Sequence, residues 1–313
     1  MANGNNGSER SFKDYLGIAL RGVCMGAADV VPGVSGGTIA LITGIYQELI
    51  LSIRSFDATA LRLLISGRVR DAFGHVLWPF LVALLTGILM AIFSLSRGIA
   101  WLLENKPVLL WSFFFGLVLA SVFTVGRRIS TWKVSTIGGA GIAALAAYVF
   151  VGLVPVEMPH SPLYIFGCAI ISICAMILPG ISGSFMLVLM GQYHYILNAV
   201  NQRDLFTLAL FGAGAAVGLM SFARVLAWIF RRYHNLTVAF LTGLMLGSLR
   251  KVWPWKETVE TMLNRHGVEV PLVKINRIPA AWSGEVTAAL ALALFGFILV
   301  LLLERLASGT SQE

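Results

Sequence analysis

Pro32-Gly33-Val34-Ser35-Gly36-Gly37 interrupts one long apolar stretch, and 147 residues later Pro179-Gly180-Ile181-Ser182-Gly183-Ser184 interrupts another. Each is followed by a further glycine and then a tyrosine, Gly44 and Tyr46 in the first and Gly191 and Tyr193 in the second. Proline removes a backbone donor, and glycine removes the side chain that would keep another group at a distance. A helix broken this way inside lipid must find new partners for its freed amides and carbonyls. A break built twice from nearly the same residues points to use of those groups for binding.

The composition fixes the environment. Of 313 residues 58% are hydrophobic and 12% charged, with mean hydropathy +0.83, whereas soluble domains carry roughly 25% charged residues. Residues 78–95, 108–125, 137–154, 206–223 and 286–303 are nearly free of charge, each long enough to cross about 30 Å of hydrocarbon at about 1.5 Å per residue. These features describe a polytopic helical membrane protein. Residues 1–15 are polar, without the apolar core of a signal peptide. Cys24, Cys168 and Cys174 lie in apolar helix candidates without metal-type spacing and read as packing residues. The net charge of +8 is scattered among membrane loops, which fits cytoplasmic retention and anionic lipid and calls for no nucleic acid.

The repeat extends beyond the motifs. Arg97 and the following Ala100-Trp101-Leu102-Leu103 correspond to Arg224 and Ala227-Trp228-Ile229-Phe230, and Phe113, Gly116, Leu117 and Ser121 to Phe240, Gly243, Leu244 and Ser248. The register changes because the first half holds a longer basic loop, about 54–75, where the second has only 198–205. The predicted architecture is all-α. Its first repeat (1–154) has a broken hairpin at about 12–53 and then three transmembrane helices. The second (155–313) has a hairpin at about 163–200, three more helices and an extramembrane loop at about 251–281. Arms 163–178 and 184–199 have 16 residues each, about 24 Å as helix, so each hairpin reads as re-entrant, with a single kinked span as the competing reading for either one. A hairpin that returns to its own side, followed by three crossings, inserts the second repeat upside down, which is a transporter architecture. With the N-terminus inside, Arg54, Arg62, Arg68, Arg70, Arg127, Arg128, Arg231 and Arg232 fall in the cytoplasm. The charged stretch 251–277 falls outside.

Three groups of residues could carry chemistry. At the hairpin tips, Gly33, Ser35, Gly36, Gly37 and Thr38 face Gly180, Ser182, Gly183 and Ser184, combining amides, hydroxyls and the positive ends of helix dipoles into an anion site. Arg97 and Arg224 end apolar runs at matched repeat positions. An arginine inside a bilayer costs from about 3 to above 10 kcal/mol and so faces a cavity or snorkels, and a guanidinium suits a phosphate. Arg21, Asp29 and Glu48 give the first hairpin ionisable groups for pairing or coupling. No metal, nucleotide or catalytic-nucleophile motif is present, and the pattern calls for no cofactor.

Asp29-Val-Val-Pro-Gly-Val-Ser-Gly-Gly-Thr38 and Leu178-Pro-Gly-Ile-Ser-Gly-Ser184 resemble the paired signatures of the bacterial polyprenyl-phosphate transporters of the PopT type. The resemblance implies a multi-pass protein of the bacterial cytoplasmic membrane. Such a protein returns undecaprenyl phosphate, its lipid substrate, from the outer to the inner leaflet for reuse in peptidoglycan and other envelope polymers. A proton or sodium gradient, or consumption of the lipid inside, would serve as driving force. The alternative is an integral-membrane undecaprenyl-diphosphate phosphatase, but here Gly36 and Gly183 stand where that family carries an arginine, and Glu48 is the lone nearby glutamate. A second alternative is an anion channel or inorganic-anion transporter.

Overall fold

The computed structural model describes residues 10–31, 34–156, 159, 161–263, 269–279 and 281–309. The chain runs α1 (Phe12–Asp29), α2 (Gly36–Ile42), α3 (Tyr46–Arg54), α4 (Ala58–Ile65), α5 (Val69–His75), α6 (Trp78–Asn105), α7 (Pro107–Gly126) and α8 (Val134–Phe150). It continues through α9 (Pro162–Ile177), α10 (Gly183–Leu189), α11 (Tyr193–Gln202), α12 (Leu205–Arg232) and α13 (His234–Val252), an antiparallel pair β1 (Lys256–Leu263) and β2 (Glu269–Asn276), and α14 (Gly284–Gly309). The basic loop after α3 forms the short helices α4 and α5, and the stretch after α13 contains the strands, so the fold is helical with one small β-ribbon.

Two pairs of helices agree in length. α6 and α12 both have 28 residues, and α2 and α10 both have 7. α6, α7, α12 and residues Gly284–Arg305 of α14 are long and apolar enough to cross a membrane. α8, at 17 residues, and α9, at 16, are apolar but shorter.

α1 packs on α6 and α9 on α12, while α7 pairs with α14 and α8 with α13. Close approach depends on small residues, as is usual where lipid offers no hydrophobic drive for helix association. A Cβ on Gly116 would stand 1.8 Å from the Ala293 carbonyl oxygen, and one on the matched Gly243 would stand 2.1 Å from that of Ala140. Gly87 against Ala19 and Gly214 against Phe166 repeat the arrangement at the hairpin arms.

One expectation needs correction. The return arm of each hairpin is not a continuous helix. α10 ends at Leu189 and α11 begins at Tyr193, with Gly191 at φ 65° between them; α2 and α3 are divided at Gly44, φ 79°. Ile45 N–H donates to Ala40 O at 3.0 Å and Gln192 N–H to Leu187 O at 2.9 Å, the helix-ending pattern that a left-handed glycine permits. Segments Gly36–Ile42 and Tyr46–Ala60 consequently turn by 116°.

Candidate functional site

The two tips meet. Thr38 Oγ1 accepts from Gly180 N–H at 3.0 Å, and Ser35 Oγ donates to Leu178 O at 3.3 Å. Tyr46, fully buried, donates to Ile177 O at 3.1 Å. A Cβ on Gly37 would lie 2.6 Å from that same Ile177 oxygen, so glycine there allows backbone of the first hairpin to touch backbone of the second. Gly180, at φ +86°, is in turn pressed on α13, where Leu244 O and Ser248 Oγ lie 3.0 Å from the position of its absent Cβ.

The tips differ in how far they satisfy themselves. At the first, Ser35 caps α2 by accepting from Gly37 N–H at 3.1 Å, and Asp29 Oδ1 accepts from Gly36 N–H at 2.7 Å. A carboxylate therefore already sits at the start of that helix, where partial positive charge favours an anion. Arg128 closes the other end of α2, donating to Leu41 O at 2.9 Å and Ile42 O at 2.8 Å. At the second tip α10 starts without a side-chain cap. Ser182 and Ser184 hydroxyls bond to each other at 2.8 Å. Met176, the counterpart of Asp29, presents its Cβ near Gly183 instead of a carboxylate.

Of the residues singled out from sequence, Ser35, Gly36, Gly37, Thr38, Gly180, Ser182, Gly183 and Ser184 are brought together; Gly33 lies outside the described residues. Arg97 and Arg224 are both exposed. Arg224 Nη2 donates to Phe56 O at 3.4 Å, in the turn beyond α3. Asp29 pairs with the tip amide rather than with Arg21, and Glu48 is bound by Arg10 at 2.6 Å. Arg128 was legible only as a loop cation, because nothing local in the sequence says that it reaches back to α2. An apolar groove of about 600 Å³ between α7, α8 and α13, lined by Val122, Phe123, Trp132, Ile137 and Leu246, has Arg127 at its rim.

The family model for VCA0040-like proteins, described as undecaprenyl phosphate translocase-like, matches residues 25–270, which include both tips. The chain belongs to this family. A polyprenyl-phosphate transporter of Vibrio cholerae serotype O1 is 44% identical over 300 residues, covering 94% of this chain and 97% of the relative. A polyprenyl-phosphate transporter of Staphylococcus aureus is 32% identical over 257 residues, covering 75% of this chain and 85% of its own length. No solved structure matches.

Proposed function

We propose that this chain transports undecaprenyl phosphate across the bacterial cytoplasmic membrane, from the outer to the inner leaflet, so that the carrier can be reused in envelope synthesis. The names of the two relatives support the substrate class, and the observation that carries the mechanism is the uncapped second tip. Amides at the start of α10 and the Ser182 and Ser184 hydroxyls form a small donor set with no side-chain acceptor at the cap. A phosphate oxygen supplies what is missing: strong acceptors with negative charge at the positive end of a helix. The first tip holds the second in place through Thr38, Ser35 and Tyr46.

Residues 1–154 and 155–313 act as two inverted repeats in this reading. The matched lengths of α2 with α10 and α6 with α12 support it, as does the exchange of partners that pairs α7 with α14 and α8 with α13. The phosphate crosses in the polar tip region while the isoprenoid tail stays among apolar flanks, for which lipid-facing grooves such as the one beside Trp132 suffice. Inverted repeats that move around a mid-membrane site give alternating access.

Reconstitution into liposomes with labelled undecaprenyl phosphate, following leaflet exchange and phosphate release together, tests the reading. Exchange without release is the expected result. Release of inorganic phosphate would place the chain with the phosphatases, and neither signal would end the lipid proposal.

A further inference from the structure

The β-ribbon sorts its charges by face. In the antiparallel register Lys256 lies opposite Asn276, Glu257 opposite Ile275 and Thr258 opposite Lys274. Side chains alternate along each strand, so Lys256, Thr258, Lys274 and Asn276 share one face and Glu257 and Ile275 the other. Arg277, just beyond β2, donates through Nε to Glu257 Oε2 at 2.7 Å, which neutralises that acid.

Lys256, at the base of that face, looks toward the helices. Lys256 Nζ lies 4.9 Å from the centroid of Trp111 on α7 and donates to the Lys251 carbonyl. Lys251, in the last turn of α13, has its Nζ 4.0 Å from the Phe185 ring on α10. Aromatic faces attract ammonium groups but carry no compensating charge. Arg250, next along α13, is used elsewhere, donating to Tyr148 O at 2.8 Å and stacking on the Tyr148 ring. Among the described side chains no carboxylate pairs with Lys251, Lys256 or Lys274. Burial, with Lys251 and Lys274 nearby, pushes the Lys256 ammonium down to about 7. The base of the ribbon is fixed to α13 by Asn276 Nδ2 donating to Arg250 O at 2.9 Å and Trp253 Nε1 to Arg277 O at 2.8 Å. A cavity of about 420 Å³ lies beside Lys256, lined also by Val108, Trp255, Glu257 and Arg277.

This cluster is next to the second tip. Lys251 is one helical turn beyond Ser248, which touches Gly180, and it lies over the ring of Phe185, the third residue of α10. We propose that Lys251, Lys256 and Lys274 form a receiving site for a phosphate monoester, from which the group passes along α13 to the tip at Ser182 and Ser184. The inference rests on the transport reading and adds to it a first binding site at the ribbon end. Lys251 and Lys256 are half-buried without a carboxylate partner among the described side chains, Lys274 lies close enough to add its charge, and Lys256 lines the cavity. A phosphate monoester supplies both the charge and the acceptors that such a cluster lacks. The source of that group is a lipid headgroup or free phosphate, and the test separates them.

The full-length protein in phosphatidylcholine nanodiscs is treated with a small acetylating ester at about pH 7.5. There the lowered Lys256 ammonium loses its proton more readily than ordinary lysines and reacts ahead of them, and a bound phosphate would hold that proton on. Acetylation of Lys256 is read by peptide mass spectrometry with undecaprenyl phosphate, inorganic phosphate or undecaprenol added. Undecaprenyl phosphate is expected to slow Lys256 modification about tenfold, undecaprenol not at all. Protection by inorganic phosphate as well would show that the headgroup alone suffices. No protection by either phosphate overturns the site. In liposomes, Lys251→Met with Lys256→Met is expected to raise the apparent KM about tenfold while the maximal rate is kept; an unchanged KM also overturns it. Should that variant fail to fold, labelling of the unaltered protein still decides. Protection of Lys256 in a protein that moves no lipid would sink the transport reading and leave the site standing.

Discussion

At the first tip, Gly36 N–H is held by Asp29, Gly37 N–H by Ser35, and the far end of α2 by Arg128; at the second, α10 begins uncapped and its two serines hold each other. Tyr46 is buried and reaches across to Ile177, whereas its counterpart Tyr193 is 37% exposed. In the proposed reading one motif is put to two uses: the first copy, with its helix start already satisfied, serves as a wall, and the second keeps donors for a ligand. In that reading the repeated motif provides the backbone geometry at both tips, and differences at a few flanking positions, Asp29 against Met176 and Thr38 against Phe185, divide the labour.

Five substitutions probe that division. The largest effect is expected from Gly37→Ala, whose Cβ would meet Ile177 O at 2.6 Å with backbone on both sides. Forcing the hairpins apart costs about 1–3 kcal/mol and is expected to abolish leaflet exchange; an unchanged melting temperature and full exchange would break the claim that the tips interlock. Next, Ser182→Ala is expected to weaken undecaprenyl phosphate binding about tenfold with little change in stability. Ser35→Ala is expected to cost about 1 kcal/mol as a lost cap and leave affinity nearly unchanged. Affinity titrations and thermal melts on the pair would reverse the assignment of wall and receptor if the two effects were exchanged. The smallest effect belongs to the tyrosines: Tyr46→Phe loses about 1 kcal/mol with its buried hydrogen bond, and Tyr193→Phe is expected to be silent in the same melts.

The doubled Pro-Gly-x-Ser-Gly, the matching runs after Arg97 and Arg224, and the first arm of the second hairpin were all readable, the last to within a residue at either end. The breaks at Gly44 and Gly191 were visible as a repeated glycine, but an apolar helix continues through many glycines, and only the positive φ distinguishes a stop. The facing of Arg97 and Arg224 was not readable at all. In water an apolar stripe marks the buried face of a helix. In lipid both faces are apolar, so α6 and α12 give no such signal. The pairing of Asp29 with Gly36, and of Arg128 with the end of α2, depends on how the chain folds back and not on neighbouring residues. The ribbon was legible only as a polar insertion, because its alternating pattern is short.

The partner exchange has a consequence for biogenesis. α7 and α8 leave the ribosome long before α14 and α13, the helices on which they pack through Gly116, Ala140, Phe113 and Ala144. Until α13 and α14 are inserted, the first-made half presents two unmated surfaces whose carbonyls are lined up for glycines not yet synthesised, and the one on α7 waits for the last helix. Assembly therefore ends with a late clasp rather than proceeding half by half. A chain truncated before Gly284 would leave α7 without its partner however well its hairpins had formed.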